Sequence, residues 1–347
     1  MKLVLCFVVA ATLLYEKANA QLFVASASGD TIGEYTLSGQ TINDSLISGL
    51  NGPYSMAFDG NGYLYVVNYW SGTIGKYTTS GTSVSNSLIS GLNGPVGIAL
   101  DENGYLYVSC DAHGGTGTIG KYSTSGATVN ASLVSGFDFP MGIAVGNGFI
   151  YLANYSMGTV SKYSTSGATV NASLVSGLNL PGSVTLDGKG NLFVSTIGDN
   201  KIGEYTTSGA AVNASLIIGL NNPRWISVGE NGNLFISSPQ GWWVGEFSTN
   251  GAAINSPLVS GIYYPQQSVF LMTKPPTLEA KSLGLTLTPR TLTLTITNPS
   301  GLAIIVESSQ DLVNWSPIVT NHPSIQFDVV VPAQSLKQTL YRAKTQY

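Results

Sequence analysis

The chain has 347 residues, 14 basic and 18 acidic side chains and a formal charge of −4, and only 9% of it is charged. No basic stripe is dense enough to follow a nucleic acid backbone, so that class of partner is excluded. Two cysteines and two histidines leave little for disulfide bracing or for metal and acid–base chemistry, and no cofactor is expected.

Residues 1–20 read as a secretory signal peptide. Lys2 precedes an apolar stretch over 3–15, and Ala18-Asn19-Ala20 suits cleavage before Gln21. The mature protein is therefore expected to be secreted, extracellular or periplasmic, and monomeric, with Cys110 its single cysteine. No later stretch reaches the roughly 20 apolar residues of a spanning helix, so no transmembrane segment is expected.

From residue 21 to 273 one pattern recurs six times. An aromatic residue follows an Ile or Val by three positions (Tyr35, Tyr77, Tyr122, Tyr163, Tyr205, Phe247). A glycine turn comes next (Gly49, Gly91, Gly136, Gly177, Gly219, Gly261), then a proline (Pro53, Pro95, Pro140, Pro181, Pro223, Pro265), at intervals of 41 to 45 residues. Short β-type runs between glycine turns at such a period predict an all-β fold, a six-bladed β-propeller. In the second copy, residues 54–58 and 64–67 flank the turn Asp59-Gly60-Asn61-Gly62. Residues 73–78 and 87–90 add a third and an outer run, giving four strands per blade. The first copy starts at Leu22-Phe23-Val24, equivalent to Leu64-Tyr65-Val66, and lacks the strand before it. Residues 266–271 supply that strand after the sixth copy, which predicts a ring closed by a C-terminal strand with two sheet edges hidden.

The string Gly94-Pro95-Val96-Gly97-Ile98-Ala99-Leu100-Asp101-Glu102-Asn103-Gly104-Tyr105-Leu106-Tyr107-Val108, followed by Thr118-Ile119-Gly120-Lys121-Tyr122, resembles the NHL-repeat class of six-bladed propellers. The resemblance runs over residues 21–272 and implies the fold, which hosts scaffolds, protein-binding surfaces, lactonases and lyases. Residues 274–282, opening on Lys274-Pro275-Pro276-Thr277, read as a stiff linker. Residues 283–347 carry short alternating runs that predict a small antiparallel β-sandwich. There, Ile305-Val306-Glu307-Ser308-Ser309-Gln310-Asp311-Leu312-Val313-Asn314-Trp315 and Leu340-Tyr341-Arg342-Ala343 resemble the terminal β-modules of secreted Verrucomicrobia-like proteins, which implies an extracellular accessory module.

In a propeller the loops after each second strand and the blade-to-blade connections should open on one face. Tyr69, Trp70, Tyr155, Trp242 and Trp243 fall in the first set, and Arg224, Trp225, Tyr263 and Tyr264 in the second. So many large rings beside Arg, Asn and Asp point to a non-enzymatic face that binds a carbohydrate or a protein at the cell exterior. Six-bladed relatives of the gluconolactonase type hold a divalent metal with Glu, Asn and Asp. Here the residues after the prolines are Tyr54, Val96, Met141, Gly182, Arg224 and Gln266, so no metal is expected. The Ile-Gly-basic-aromatic step resembles virginiamycin-lyase-like propellers, whose chemistry needs a histidine base near a metal. The alternative reading is therefore a metal-dependent hydrolase or lyase centred on His113 and Asp111, in the three-residue insertion of blade three.

Overall fold

The computed structural model describes residues 21–229 and 231–271, together with strands over 286–287, 291–297, 303–309, 316–321, 326–332 and 340–346. The expectations for residues 1–20 and 274–282, and those for Trp315, lie outside the described residues.

Residues 21–271 form six antiparallel four-stranded sheets. Blade one joins Pro265–Leu271 to Gln21–Ser26, Thr31–Thr36 and Thr41–Ile47. Its register runs from Gln21 opposite Leu271 to Ser26 opposite Pro265, so the last strand of the array completes the first blade. Five further blades follow in chain order, blade two being Pro53–Phe58, Tyr63–Asn68, Thr73–Thr78 and Ser83–Ile89.

The core lies between blades. One residue in the middle of each second strand is sealed from solvent: Phe23, Tyr65, Tyr107, Tyr151, Phe193 and Phe235. Each such ring contributes about 1.5–3 kcal/mol by leaving water. Around them, apolar side chains of one blade interleave with those of the next, as Phe23 and Ile32 do with Met56, Leu64 and Val66. Burial fades outward, and the fourth strands alternate exposed hydroxyls and β-branched residues.

Sequence signals account for the turns. The hydroxyls of Thr36, Thr78, Ser123, Ser164, Thr206 and Ser248 each accept the backbone N–H four residues on, closing the turn before the outer strand. Asp59, Asp101 and Asp187 accept N–H groups two and four residues on, the self-bonded turn expected of them. Buried serines stitch the innermost strands together: Ser109 Oγ donates to Met141 O at 2.6 Å and Ser195 Oγ to Arg224 O at 3.0 Å. At the closing seam Gln267 does this job, its Oε1 accepting from Ser55 Oγ and from the Met56 N–H at 2.9 Å.

The described strands beyond residue 285 belong to a second compact unit. In it Thr291–Thr297 pairs with Gln326–Pro332 and Thr286–Leu287, and Ala303–Ser309 pairs with Ser316–Asn321 and Leu340–Gln346, all antiparallel.

Candidate functional site at the channel mouth

The loop after each second strand is tied by its backbone to the connection entering the same blade. Tyr69 N–H donates to Gly52 O at 3.0 Å, Asp111 N–H to Gly94 O at 2.8 Å, Tyr155 N–H to Phe139 O at 3.2 Å and Ile197 N–H to Leu180 O at 3.0 Å. Both loop sets therefore share one mouth. The residue before each blade's proline is left-handed there: Gly52, Gly94, Phe139, Leu180, Asn222 and Tyr264 have φ between 52° and 61°. Glycine takes that conformation freely, whereas a side chain makes it cost about 1–2 kcal/mol. Blades two and three use glycine, and two other blades hold an aromatic ring in the same backbone state. Trp242, at φ 58°, likewise stands where blades two and four place Gly72 and Gly158.

Of the residues following the prolines, Met141 and Arg224 line a cavity at the mouth. Val96, Met141 and Trp225 pack into a buried floor, with Tyr54, Tyr69, Phe139 and Tyr155 against it. Tyr54 stacks on Tyr69 at 4.7 Å and 19°, Trp70 meets Tyr69 edge-on at 4.7 Å, and Phe139 tilts against Tyr155 at 5.5 Å. Arg224 reaches over the Tyr54 ring, 5.4 Å from its centre, and its Nη1 donates to Tyr264 Oη at 3.2 Å. Phe139, Met141, Tyr155, Ile197, Asn222, Arg224 and Tyr264 wall a cavity of about 290 Å³.

Asp111 is 1% exposed and accepts from the His113 N–H and from Tyr69 Oη, both at 2.9 Å. A side chain at Gly94 would collide with Asp111 Oδ1, so that glycine is what lets the carboxylate turn inward. Tyr69 Oη also lies 3.2 Å from His113 Nδ1. The phenol has one proton and gives it to Asp111, so its oxygen is left to accept from the Nδ1 side of the imidazole. Burial, then the hydrogen bond and charge of Asp111, push the Tyr69 phenol well above its ordinary value. Burial first and Asp111 second push the Cys110 thiol up to about 12, so it is a packed, un-ionised side chain and no nucleophile at neutral pH.

Of the residues expected on this face, Tyr69, Tyr155, Arg224 and Tyr264 converge at the mouth. Trp70, Trp242 and Tyr263 are exposed, and Trp242 stacks on Tyr263 at 5.1 Å and 24°. Two tryptophans lie elsewhere. Trp225 is 2% exposed beneath the mouth, its indole N–H donating to Gln266 Oε1 at 2.6 Å, so it is floor and no platform. Trp243 opens the third strand of blade six and packs against the core between blades five and six. Conversely, Phe139, Met141, Ile197 and Asn222 line the cavity without having been singled out as ligand contacts, although Phe139 lies in a blade-to-blade connection expected on this face. The positions flanking each proline were the signal that could have found the first two.

A family model for virginiamycin B lyases matches residues 8–245. The chain belongs to the virginiamycin B lyase family. No curated protein matches it in sequence. Among solved structures, a propeller from a nidogen/laminin complex shares 16% identity, covering 72% of this chain and 98% of that one at a TM-score of 0.62. A catalytically inactive histidine-to-alanine variant of virginiamycin B lyase from Staphylococcus aureus, solved with quinupristin, shares 16% over 81% and 93% at 0.54. A gluconolactonase from Xanthomonas campestris shares 14% over 71% and 87% at 0.54. At such identities these likenesses speak for the fold. A divalent metal is the cofactor that the lyase and gluconolactonase resemblances imply, and the residues of this member of the lyase family do not fit one. Among the described residues no three His, Cys, Asp or Glu side chains converge, and both oxygens of Asp111 are already engaged.

Proposed function

We propose that this member of the virginiamycin B lyase family is an exported, non-catalytic recognition module that seats a carbohydrate in the aromatic mouth of its channel. The observation that carries this reading is the cavity walled by Phe139, Tyr155 and Tyr264 beside the amide of Asn222 and the guanidinium of Arg224. The C–H face of a sugar ring lies flat on aromatic rings, and its hydroxyls match amide, phenol and guanidinium groups. A volume of about 290 Å³ sits at the small end of the roughly 300–1,000 Å³ range of ligand pockets and suits a single ring. The left-handed backbones of Phe139 and Tyr264 add support, because strain of this kind gathers at functional sites.

Glycan-array binding by the full chain tests the proposal. Replacing Tyr155 by Ala should weaken binding about tenfold, the loss of one ring contact. Binding unchanged in that variant would remove the mouth from consideration. A protein segment is the other occupant such a mouth accepts, and hits in a pull-down with an empty array would assign it. A hydrolase or lyase reading draws support from one arrangement, the joining of Asp111 and His113 through Tyr69 Oη at the mouth. Stoichiometric divalent metal in the purified protein, lost in His113→Ala, would favour that reading over recognition.

A further inference from the structure

Arg224 is the feature of the mouth that a neutral ligand leaves unexplained. It occupies the position after Pro223, where the other blades place Tyr54, Val96, Met141, Gly182 and Gln266. Its guanidinium meets phenols only: Nη1 donates to Tyr264, and the plane faces the Tyr54 ring. Nε is sealed from solvent and donates to nothing. Among the described residues the ion pair found is Lys201 with Asp199 at 3.3 Å, so no carboxylate stands within ion-pair distance of Arg224. Asp111, the buried acid of the same mouth, is committed to Tyr69 and His113. A second donor, buried beneath the mouth, is orphaned too. Trp225 Nε1 can only donate, which fixes Gln266 Oε1 toward it and leaves the fully buried Nε2 of Gln266 without an acceptor.

A half-buried guanidinium without a partner of opposite charge is costly, and an anionic group of a ligand in the cavity offsets that cost. The planar fork of arginine fits the two oxygens of a carboxylate. We infer that the cavity takes a sugar ring bearing a carboxylate, a uronate residue, with Arg224 gripping the carboxylate and Phe139 and Tyr155 covering the ring. Asn222 stands ready for a ring hydroxyl. This inference rests on the carbohydrate reading above and narrows it to acidic glycans.

The test uses the full chain with polygalacturonate, alginate and hyaluronate, each beside its carboxyl-reduced form. At least one uronate polymer should bind tenfold or more tightly than its reduced partner. Arg224→Gln should erase that preference, a drop of roughly 10- to 100-fold, and Arg224→Lys should restore part of it. Thermal melts of the variants serve as the folding control. Should Arg224→Gln fail to fold, the wild type decides: added NaCl must weaken uronate binding and leave the reduced polymer unaffected. Reduced and native polymers binding equally, or a preference surviving in Arg224→Gln, would overturn the uronate assignment while leaving sugar recognition in place. Benzoate competing as well as galacturonate would overturn the sugar half, and no glycan binding of either kind would overturn both readings.

Discussion

Two halves of the ring fill the same slot with opposite charges. In blades two, three and four the third strand carries Lys76, Lys121 and Lys162, directly across from Tyr65, Tyr107 and Tyr151. In blades five, six and one it carries Glu204, Glu246 and Glu34, across from Phe193, Phe235 and Phe23. Each lysine ammonium lies 4.1–4.3 Å from the centre of one ring and 5.1–5.2 Å from a second, at Tyr63 and Tyr65, Tyr105 and Tyr107, or Phe149 and Tyr151. Nζ of Lys121 and of Lys162 also donate to the next blade, at Thr165 O (3.3 Å) and Thr207 O (3.0 Å). In the glutamate half the neighbouring position holds an amide instead of an aromatic ring, as Gln21, Asn191 and Asn233. Asn233 Nδ2 donates to Glu246 Oε1 at 2.7 Å, and Asn191 Nδ2 gives Asp187 the donor that Asp101 receives from Tyr107 Oη at 3.1 Å. The lesson is that the slot diverged as a set. A cation came with two ring faces, which attract it electrostatically, and in blade six the carboxylate came with amide donors.

Putting the wrong charge in one half is the strongest way to break this comparison. Lys121→Glu removes two cation–ring contacts and aims a carboxylate at the faces of Tyr105 and Tyr107. Stability should fall by about 2–3 kcal/mol, lowering the melting temperature by roughly 5–10 °C. Lys121→Met keeps the stem that packs on the rings and loses only the charge, and should cost about 1 kcal/mol. Equal melts for the two variants would mean that the half-ring needs bulk there and no cation.

The architecture was legible because a repeat states each contact six times. The proline and glycine spacing gave the blades, and the mismatch between Leu22-Phe23-Val24 and the missing strand located the closure now seen in the pairing of Gln21 with Leu271. The charge pattern of the two halves was equally present in the sequence, as Lys or Glu immediately after each Ile-Gly, Val-Ser or Val-Gly step. The mouth was harder to read. Trp242 and Trp243 are adjacent, yet the first stands in a left-handed turn facing outward and the second starts a strand that turns its ring between blades. Spacing alone does not say where loop geometry ends and the strand's alternation begins. Phe139 escaped for a related reason: its importance lies in a backbone conformation that its residue type disfavours, which the glycines at the equivalent Gly52 and Gly94 disclose only once those positions are aligned.

The finest distinction lies inside the glutamate half. Glu246 accepts from Asn231, Asn233 and Asn255, whereas Glu34 is 7% exposed and has no hydrogen-bond partner among the described residues. Burial raises the pKa of Glu34 above its ordinary value. The folded state then holds this proton more tightly than the unfolded state does. The group's stabilising contribution is complete below the unfolded pKa and is lost as pH climbs through the folded one. Glu34→Gln removes the ionisation, so its melting temperature should match the wild type near pH 4 and exceed it at pH 7. Comparing the two proteins at each pH cancels every other group, including Asp187, where burial is outweighed by the backbone N–H groups of Asn191 and Lys189 that lower its pKa. Glu246→Gln should go the other way at pH 7, destabilising by about 1 kcal/mol because three amide donors lose a charged acceptor. A Glu34→Gln melt that falls with pH as the wild type's does would mean that Glu34 ionises in the folded protein as freely as in water, and that the glutamate half is uniform after all.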